Sequence, residues 1–262
     1  MALSPAELDD LARLVWDAAQ AGDRFPAVLT GIGYDDGLAL QVRLLRRHER
    51  EGAVLSGWKV GLTSARAREA FGGVDVRPFG YLDAAHTLGS GAEVIVAGIP
   101  KPAIETELCF TVGERIAGGG LSAADVRPRL ARVAAGYEIN QRPPGTLTPD
   151  LAMGAVARMY NWGIVEGSGR APSEVDLAEV VVSMTVADAA GETLQLRERA
   201  ADHVDDHYES IARLAAALDT VGLGLEPGQK IITGAVGRFP ARAGQTWRSE
   251  FSGVGTVEVR FT

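Results

Sequence analysis

The sequence predicts an α+β fold, with an N-terminal helical layer resting on a long strand-rich region. Three observations carry that expectation. Helical periodicity dominates the first fifty residues, short strand-like segments dominate the rest, and neither a βαβ rhythm nor an internal repeat links them. At 262 residues, 46% of them hydrophobic, the chain can bury a sizeable core. No linker-like stretch divides it, so residues 1–54 read as a helical region and 55–262 as one domain.

The elements follow in order. Ser4-Pro5-Ala6-Glu7 is a capping box with proline at the first helical position, and Leu8, Leu11 and Val15 then recur at helical spacing. This predicts a helix over residues 5–20. A linker of small and turn residues, 21–33, precedes a second helix expected after Asp35-Asp36, with Leu38, Val42 and Leu45 on one face. Ser56 to Leu62 reads as a strand, and Ser64 caps a brief helix that ends at Gly72-Gly73.

Glu93 to Ile99 and Ile104 to Val112 are expected strands. Ser122 to Asp125 opens another capped helix, with Val126, Leu130 and Val133 at helical intervals. Ala134 to Ile139 is the next strand, Pro143-Pro144-Gly145 a turn, and Thr148-Pro149-Asp150 a helix start. Val180 to Asp188 and Glu192 to Leu196 flank a hairpin turn at Ala189-Ala190-Gly191. A helix over Tyr208 to Val221 carries Ile211, Leu214 and Leu218 on one stripe. Lys230 to Thr233 and Thr256 to Phe261 are closing strands around a loop.

Composition excludes several classes of function. A formal charge of −8 offers no footprint for a nucleic-acid backbone or an anionic membrane, and the run Arg43, Arg46 and Arg47 is interleaved with Glu49 and Glu51. One cysteine, Cys109, rules out a disulfide framework and a cysteine-built zinc site. The N-terminus lacks the pattern of a signal peptide and no apolar run reaches ~18 residues, so a cytoplasmic protein is expected.

The chemistry is concentrated in Ile104-Glu105-Thr106-Glu107-Leu108-Cys109-Phe110. Strand alternation puts Glu105 and Glu107 on one face, roughly 6–7 Å apart. Such a pair suits a solvated strand face or a shared cation. Glu138, inside the apolar Ala135-Gly136-Tyr137-Glu138-Ile139, favours the cation, because a lone buried carboxylate is costly. Three carboxylates suit Mg2+ or Mn2+. Lys59, one of three lysines, lies in the apolar Gly57-Trp58-Lys59-Val60-Gly61 and reads either as a snorkelling edge residue or as an acid-base group beside the metal.

These segments carry a resemblance. Gly57 to Ser64, then Pro78-Phe79-Gly80-Tyr81-Leu82, Pro102 to Glu107, Gly228 to Gly234 and Gly253 to Val257 occur in an order that resembles the 2-keto-4-pentenoate hydratase family. That family includes 4-oxalocrotonate decarboxylases and belongs to the fumarylacetoacetate hydrolase superfamily. The resemblance spans nearly the whole chain. It implies a mixed-sheet pseudo-barrel with N-terminal helices, residues 55–262 as the catalytic domain, and a homo-oligomer. It further implies Glu105, Glu107 and Glu138 as ligands of Mg2+ or Mn2+, Lys59 as the catalytic lysine, and Thr63, Ser64, Phe79, Gly80 and Thr233 as substrate-binding residues.

The implied reaction is hydration of an unsaturated 2-oxo acid through a metal-bound enolate. Decarboxylation of a 2-oxo dioic acid on the same site is the alternative, and a non-catalytic paralogue serving as assembly partner is a third reading. Acylpyruvate hydrolysis calls for a His–Glu pair that the sequence does not locate: His48 falls in a charged helix, and His203 and His207 precede another. Two segments depart from the family pattern, Asn140-Gln141-Arg142-Pro143 and Ala157 to Trp162. Each lacks an acidic residue the family carries, so a rewritten outer pocket is expected. His86 beside Asp83 reads as a loop hydrogen bond rather than a metal ligand. Trp58, Trp162, Trp247 and Cys109 read as packing residues.

Overall fold

The computed structural model describes residues 2–143 and 150–262. Helix α1 (Pro5–Gln20) has the expected capping box: Ser4 Oγ accepts from Glu7 N, and the Glu7 carboxylate accepts from Ser4 N. Its apolar stripe, Leu8, Leu11 and Val15, is buried. Helix α2 (Tyr34–Arg50) begins one residue before Asp35, so both aspartates lie in its first turn, where the positive end of the helix dipole favours them. Its buried stripe is Leu40, Gln41, Leu44 and Leu45. Leu45 was expected there, while Leu38 and Val42 are only half-buried because Gly37 and Gln41 face Ala152 and Ala155 of a later helix.

Strand β1 (Leu55–Val60) leads through the short α3 (Ala65–Glu69), capped by Ser64, to β2 (Phe79–Asp83), β3 (Thr87–Gly89) and β4 (Ala92–Val94). The strand expected over Glu93 to Ile99 is thus cut short. A turn in which Ile99 N donates to Val96 O replaces its second half. Next come β5 (Ala103–Val112), α4 (Ala123–Val126), β6 (Leu130–Asn140), α5 (Leu151–Val156) and β7 (Asn161–Arg170).

The capping box at Ser122 forms, but α4 lasts four residues, and Leu130 and Val133 belong to β6. The 3₁₀ turn Arg127–Arg129 stops the helix, with Pro128 lacking the amide hydrogen needed to continue. Asp150 caps α5 by accepting from Met153 N at 2.7 Å. The remaining residues of the turn and helix start expected near there, 144, 145, 148 and 149, lie outside the described residues.

The chain closes with the hairpin β8 (Val181–Asp188) and β9 (Gly191–Arg199), helix α6 (His207–Asp219), and strands β10 (Lys230–Pro240), β11 (Thr246–Phe251) and β12 (Gly255–Phe261). Ile211, Leu214 and Leu218 form the expected buried stripe of α6. The loop expected between the closing strands is instead occupied by the second half of β10 and by β11.

Two mixed sheets result, with strand orders β2-β1-β10-β5-β6-β7-β3 and β4-β12-β11-β8-β9. Ile104, Leu108 and Phe110 on one face of β5 share a core with Trp247, Phe251, Val257 and Phe261 of the second sheet. Ser249 ties the sheets together, accepting from Tyr137 OH at 2.9 Å and from Thr106 Oγ1 at 3.3 Å. The opposite face of β5 presents Glu105 and Glu107. Gln41 of α2 donates to the carbonyls of Phe79 and Ala155 and so fastens the helical layer to β2 and α5. Among the described residues no helix is long and apolar enough to cross a membrane.

Candidate metal centre and active site

Glu105 and Glu138 are direct partners across the antiparallel β5–β6 pair, and Glu107 is two residues along the same face. Each offers a carboxylate oxygen within 4.8 Å of the others. Lys59 arrives from β1, which is separated from β6 by β10 and β5. In a flat sheet three strand spacings amount to about 14 Å, too far for the two side chains to meet. Lys59 Nζ nevertheless donates to Glu138 Oε2 and lies 4.0 Å from Glu105 Oε2, because the seven-stranded sheet curls around the site. Irregular register in β10 between Ile232 and Gly237 accompanies that curl.

Each carboxylate has its own support. Gly234 N donates to Glu107 Oε2 at 2.7 Å, Asn161 Nδ2 donates to Glu138 Oε1 at 2.8 Å, and Arg238 Nε lies 3.2 Å from Glu105 Oε1. The pKa directions follow from burial against charge. Burial pushes Glu107 up to about 7 and Glu138 well above the usual carboxylate range, despite the opposing pull of Lys59. Glu105 is also raised by burial, but Lys59, hydrogen bonding with Glu138, the charge of Arg238 and the Asn140 amide together outweigh it and hold the group below its ordinary value. Burial lowers Lys59, yet Glu138, Glu105 and Glu107 together outweigh that and raise it.

This environment fits a hard divalent cation. Three buried or nearly buried carboxylates converge, two of them with ionisation suppressed for want of positive charge. Beside them the buried Asn161 Oδ1 has no hydrogen-bond partner, which leaves polar capacity for a ligand. Mg2+ and Mn2+ are the ions such an all-oxygen donor set suits.

The other expected site residues divide into two groups. Thr63 and Thr233 are buried beside Gly234, the residue whose amide holds Glu107. A Cβ at Gly234 would fall 2.3 Å from Thr63 Oγ1, and Thr233 precedes that same glycine. Gly80 faces Lys59 across the β1–β2 pair and lies under Arg158, whose carbonyl oxygen is 2.3 Å from where a Cβ would stand. Ser64 caps α3 by accepting from Ala67 N. The Phe79 side chain turns away into the core, edge-on to Trp58 at 5.8 Å.

Four contributors escaped sequence reasoning: Asn161, Arg238, the Gly234 amide and His207. Asn161 lies in the rewritten 157–162 segment, where three successive non-glycine residues, Arg158, Met159 and Tyr160, have left-handed φ of 55°, 52° and 65°. That bend delivers the Asn161 amide to Glu138. His207, the first residue of α6, is hydrogen-bonded to Thr233. A signal for Asn161 existed in the departure from the family pattern, but its direction toward a carboxylate did not.

The remaining histidines are also placed. His48 is packed between Trp16 and Tyr81, at 4.6 and 5.9 Å, rather than on a charged surface. His203 pairs with Glu198, a His–Glu pair the sequence did not locate, on the edge strand β9 of the second sheet. His86 Nδ1 is 3.9 Å from Asp83, too long for the expected loop hydrogen bond, and the ring packs at a tilt against Trp162, centroids 4.5 Å apart, instead. Cys109 packs with Leu82, Ile164 and Ile232, and burial pushes its thiol pKa up, away from nucleophilic use.

No protein-family model matches the chain. It is 27% identical over 235 residues to a 2-hydroxyhexa-2,4-dienoate hydratase of Comamonas testosteroni, covering 87% of this chain and 86% of that one. It is 28% identical over 231 residues to a 4-oxalocrotonate decarboxylase of Pseudomonas putida, covering 87% and 85%. Its fold matches that of the 4-oxalocrotonate decarboxylase from Pseudomonas putida G7, complexed with magnesium and adipate, at a TM-score of 0.86 and 23% identity over 99% of both chains. With its motifs in family order, its curled mixed sheet and relatives of both activities along most of its length, the chain is similar to the 2-keto-4-pentenoate hydratases and 4-oxalocrotonate decarboxylases and has the fumarylacetoacetate hydrolase fold.

Proposed function

We propose that this enzyme is a Mg2+-dependent hydratase of an unsaturated 2-oxo acid, with Mn2+ as a substitute ion. The observation that carries the reading is the convergence of Glu105, Glu107 and Glu138 on one buried point faced by Lys59. When bound by these three carboxylates, the ion supplies Lewis-acid polarisation of the 2-oxo carboxylate. Lys59 remains an ammonium because three carboxylates hold its proton, so it acts as a donor to charge developing on the substrate rather than as a free base. Thr63, Ser64, Thr233 and the Phe79-Gly80 backbone bind and orient the substrate. Burial of Glu107 and Glu138 keeps bulk water from the reacting end. Residues 55–262 form the catalytic domain, residues 1–54 frame it, and the protein works as a cytoplasmic homo-oligomer.

The test follows turnover of 2-hydroxypenta-2,4-dienoate and longer homologues with and without Mg2+. Loss of the diene absorbance only in the presence of metal, and a drop of roughly 100-fold or more in Glu107→Ala, is the expected outcome. Metal-independent turnover, or full activity in Glu107→Ala, overturns it.

Decarboxylation of a 2-oxo dioic acid is the second reading. The observation favouring it is the pair Arg142 and Arg238: Arg142 Nε is buried without a partner, and Arg142 helps depress the Arg238 pKa, second to burial. Two neighbouring cationic groups, one of them paired with Glu105, suit a second substrate carboxylate. Release of CO2 distinguishes this reaction from hydration.

A further inference from the structure

We propose that His207 is a positioning residue: its Nδ1–H donates to Thr233 Oγ1 and thereby turns the threonine hydroxyl proton into the active site, where it donates to the carboxylate of a 2-oxo acid. This inference rests on the reading of the site given above. Its geometry is direct. His207 Nδ1 and Thr233 Oγ1 are 2.7 Å apart, and the two residues are 4% and 0% exposed. Thr233 follows Ile232, the register partner of Lys59, and precedes Gly234, whose amide holds Glu107. The Thr233 backbone therefore lies between the residue paired with the lysine and the amide that holds a metal ligand.

The direction of the bond follows from what His207 lacks. Burial holds the imidazole neutral, with a pKa of about 4 despite the opposing charge of Asp206, so the ring carries one N–H. Its Nε2 is buried and has no hydrogen-bond partner. A proton on Nε2 would leave a buried donor unsatisfied and would also make Nδ1 the acceptor of the threonine proton. A proton on Nδ1 has a partner at 2.7 Å and leaves only an acceptor nitrogen against its surroundings, which include the Phe110 ring at 5.9 Å. The second tautomer is the less costly one, and it is the one that frees the threonine hydroxyl to donate elsewhere. His207 touches no reacting atom in this arrangement and acts through Thr233.

The experiment uses the full chain, with pyruvate and Mg2+ as probes in isothermal titration calorimetry, and histidine nitrogen NMR. His207→Leu is expected to weaken Mg2+-dependent pyruvate binding roughly tenfold or more, the scale of one hydrogen bond to a charged group. His207→Asn, whose amide N–H replaces Nδ1–H, restores affinity to within about threefold on the same argument. Thr233→Val loses as much as His207→Leu, and combining the two adds nothing further, a result that a merely structural role would not give. NMR at pH 7 is expected to show the His207 proton on Nδ1. Additive losses in the double variant, failure of His207→Asn to restore binding while its melting temperature is unchanged, or a proton on Nε2 overturns the assignment. Wild-type protein that binds no pyruvate with Mg2+ overturns the site reading itself, and the inference with it, a failure distinct from the others.

Discussion

Asn161 shows how one amide serves a carboxylate cluster without adding charge. Glu138 is fully buried, with Lys59 on one oxygen and the Asn161 amide on the other. An aspartate at the same place would set a fourth negative group against three, whereas the amide donates and is neutral. Removing it leaves a buried carboxylate oxygen without its donor and frees Glu138 to rotate. Asn161→Ala is therefore expected to raise the Kd for Mg2+ roughly tenfold, as loss of a ligand's hydrogen-bond partner does elsewhere, and calorimetric Mg2+ titration checks it. Glu105, Glu107, Glu138 and Lys59 were legible in the sequence because charged groups inside apolar strands stand out against their neighbours. Asn161 and His207 were not. An amide or imidazole acquires a role here only when β7 or α6 docks against a particular strand, and neither docking leaves a local pattern.

At the scale of the element, glycine placement decides how closely the strands around Lys59 approach. Gly57 pairs with Lys230 across the parallel β1–β10 contact at an irregularity in β1, and a Cβ there would lie 1.9 Å from the Lys230 carbonyl oxygen. A backbone atom cannot step aside as a side-chain tip can, so Gly57→Ala must separate the strands. The expected loss is about 3 kcal/mol, read from the urea midpoint. Gly91→Ala is the control: its φ is +89° and nothing lies within 4 Å, so only backbone strain of about 1 kcal/mol is expected.

The errors in element prediction have a similar origin. Val126, Leu130 and Val133 fit a helical interval, yet β6 is buried on both faces and so lacks the alternation that marks a half-exposed strand. The helical layer was easier to read, since α1 carries its own cap and a single apolar stripe.

For the whole molecule, the site is an electrostatic burden that the metal relieves. Three buried or nearly buried carboxylates face one lysine, and the strands bearing them lie at the centre of the seven-stranded sheet. An ion that binds the native state and not the unfolded chain stabilises it by mass action, about 2.7 kcal/mol at a hundredfold excess over Kd. For a chain of this size that corresponds to a rise of about 5–10 °C in Tm. Thermal unfolding after EDTA treatment, then with Mg2+ restored, is expected to show this shift, and Glu107→Gln is expected to abolish it. An unchanged Tm would mean that Lys59 and burial alone neutralise the cluster.

The sequence by itself determined the α+β class, the helical N-terminus, the set of three carboxylates and the lysine that faces them. These depend on local rules: cap chemistry, strand alternation, and the cost of a charge among apolar neighbours. Only the tertiary structure decided how a lysine on β1 reaches a glutamate three strands away, that Phe79 belongs to the core, and which amides and imidazole brace the site. Curling of the sheet and the register of β7 and α6 against it are sums over many distant contacts. No window of the chain contains them, and for that reason the groups that bind were legible while the groups that orient them were not.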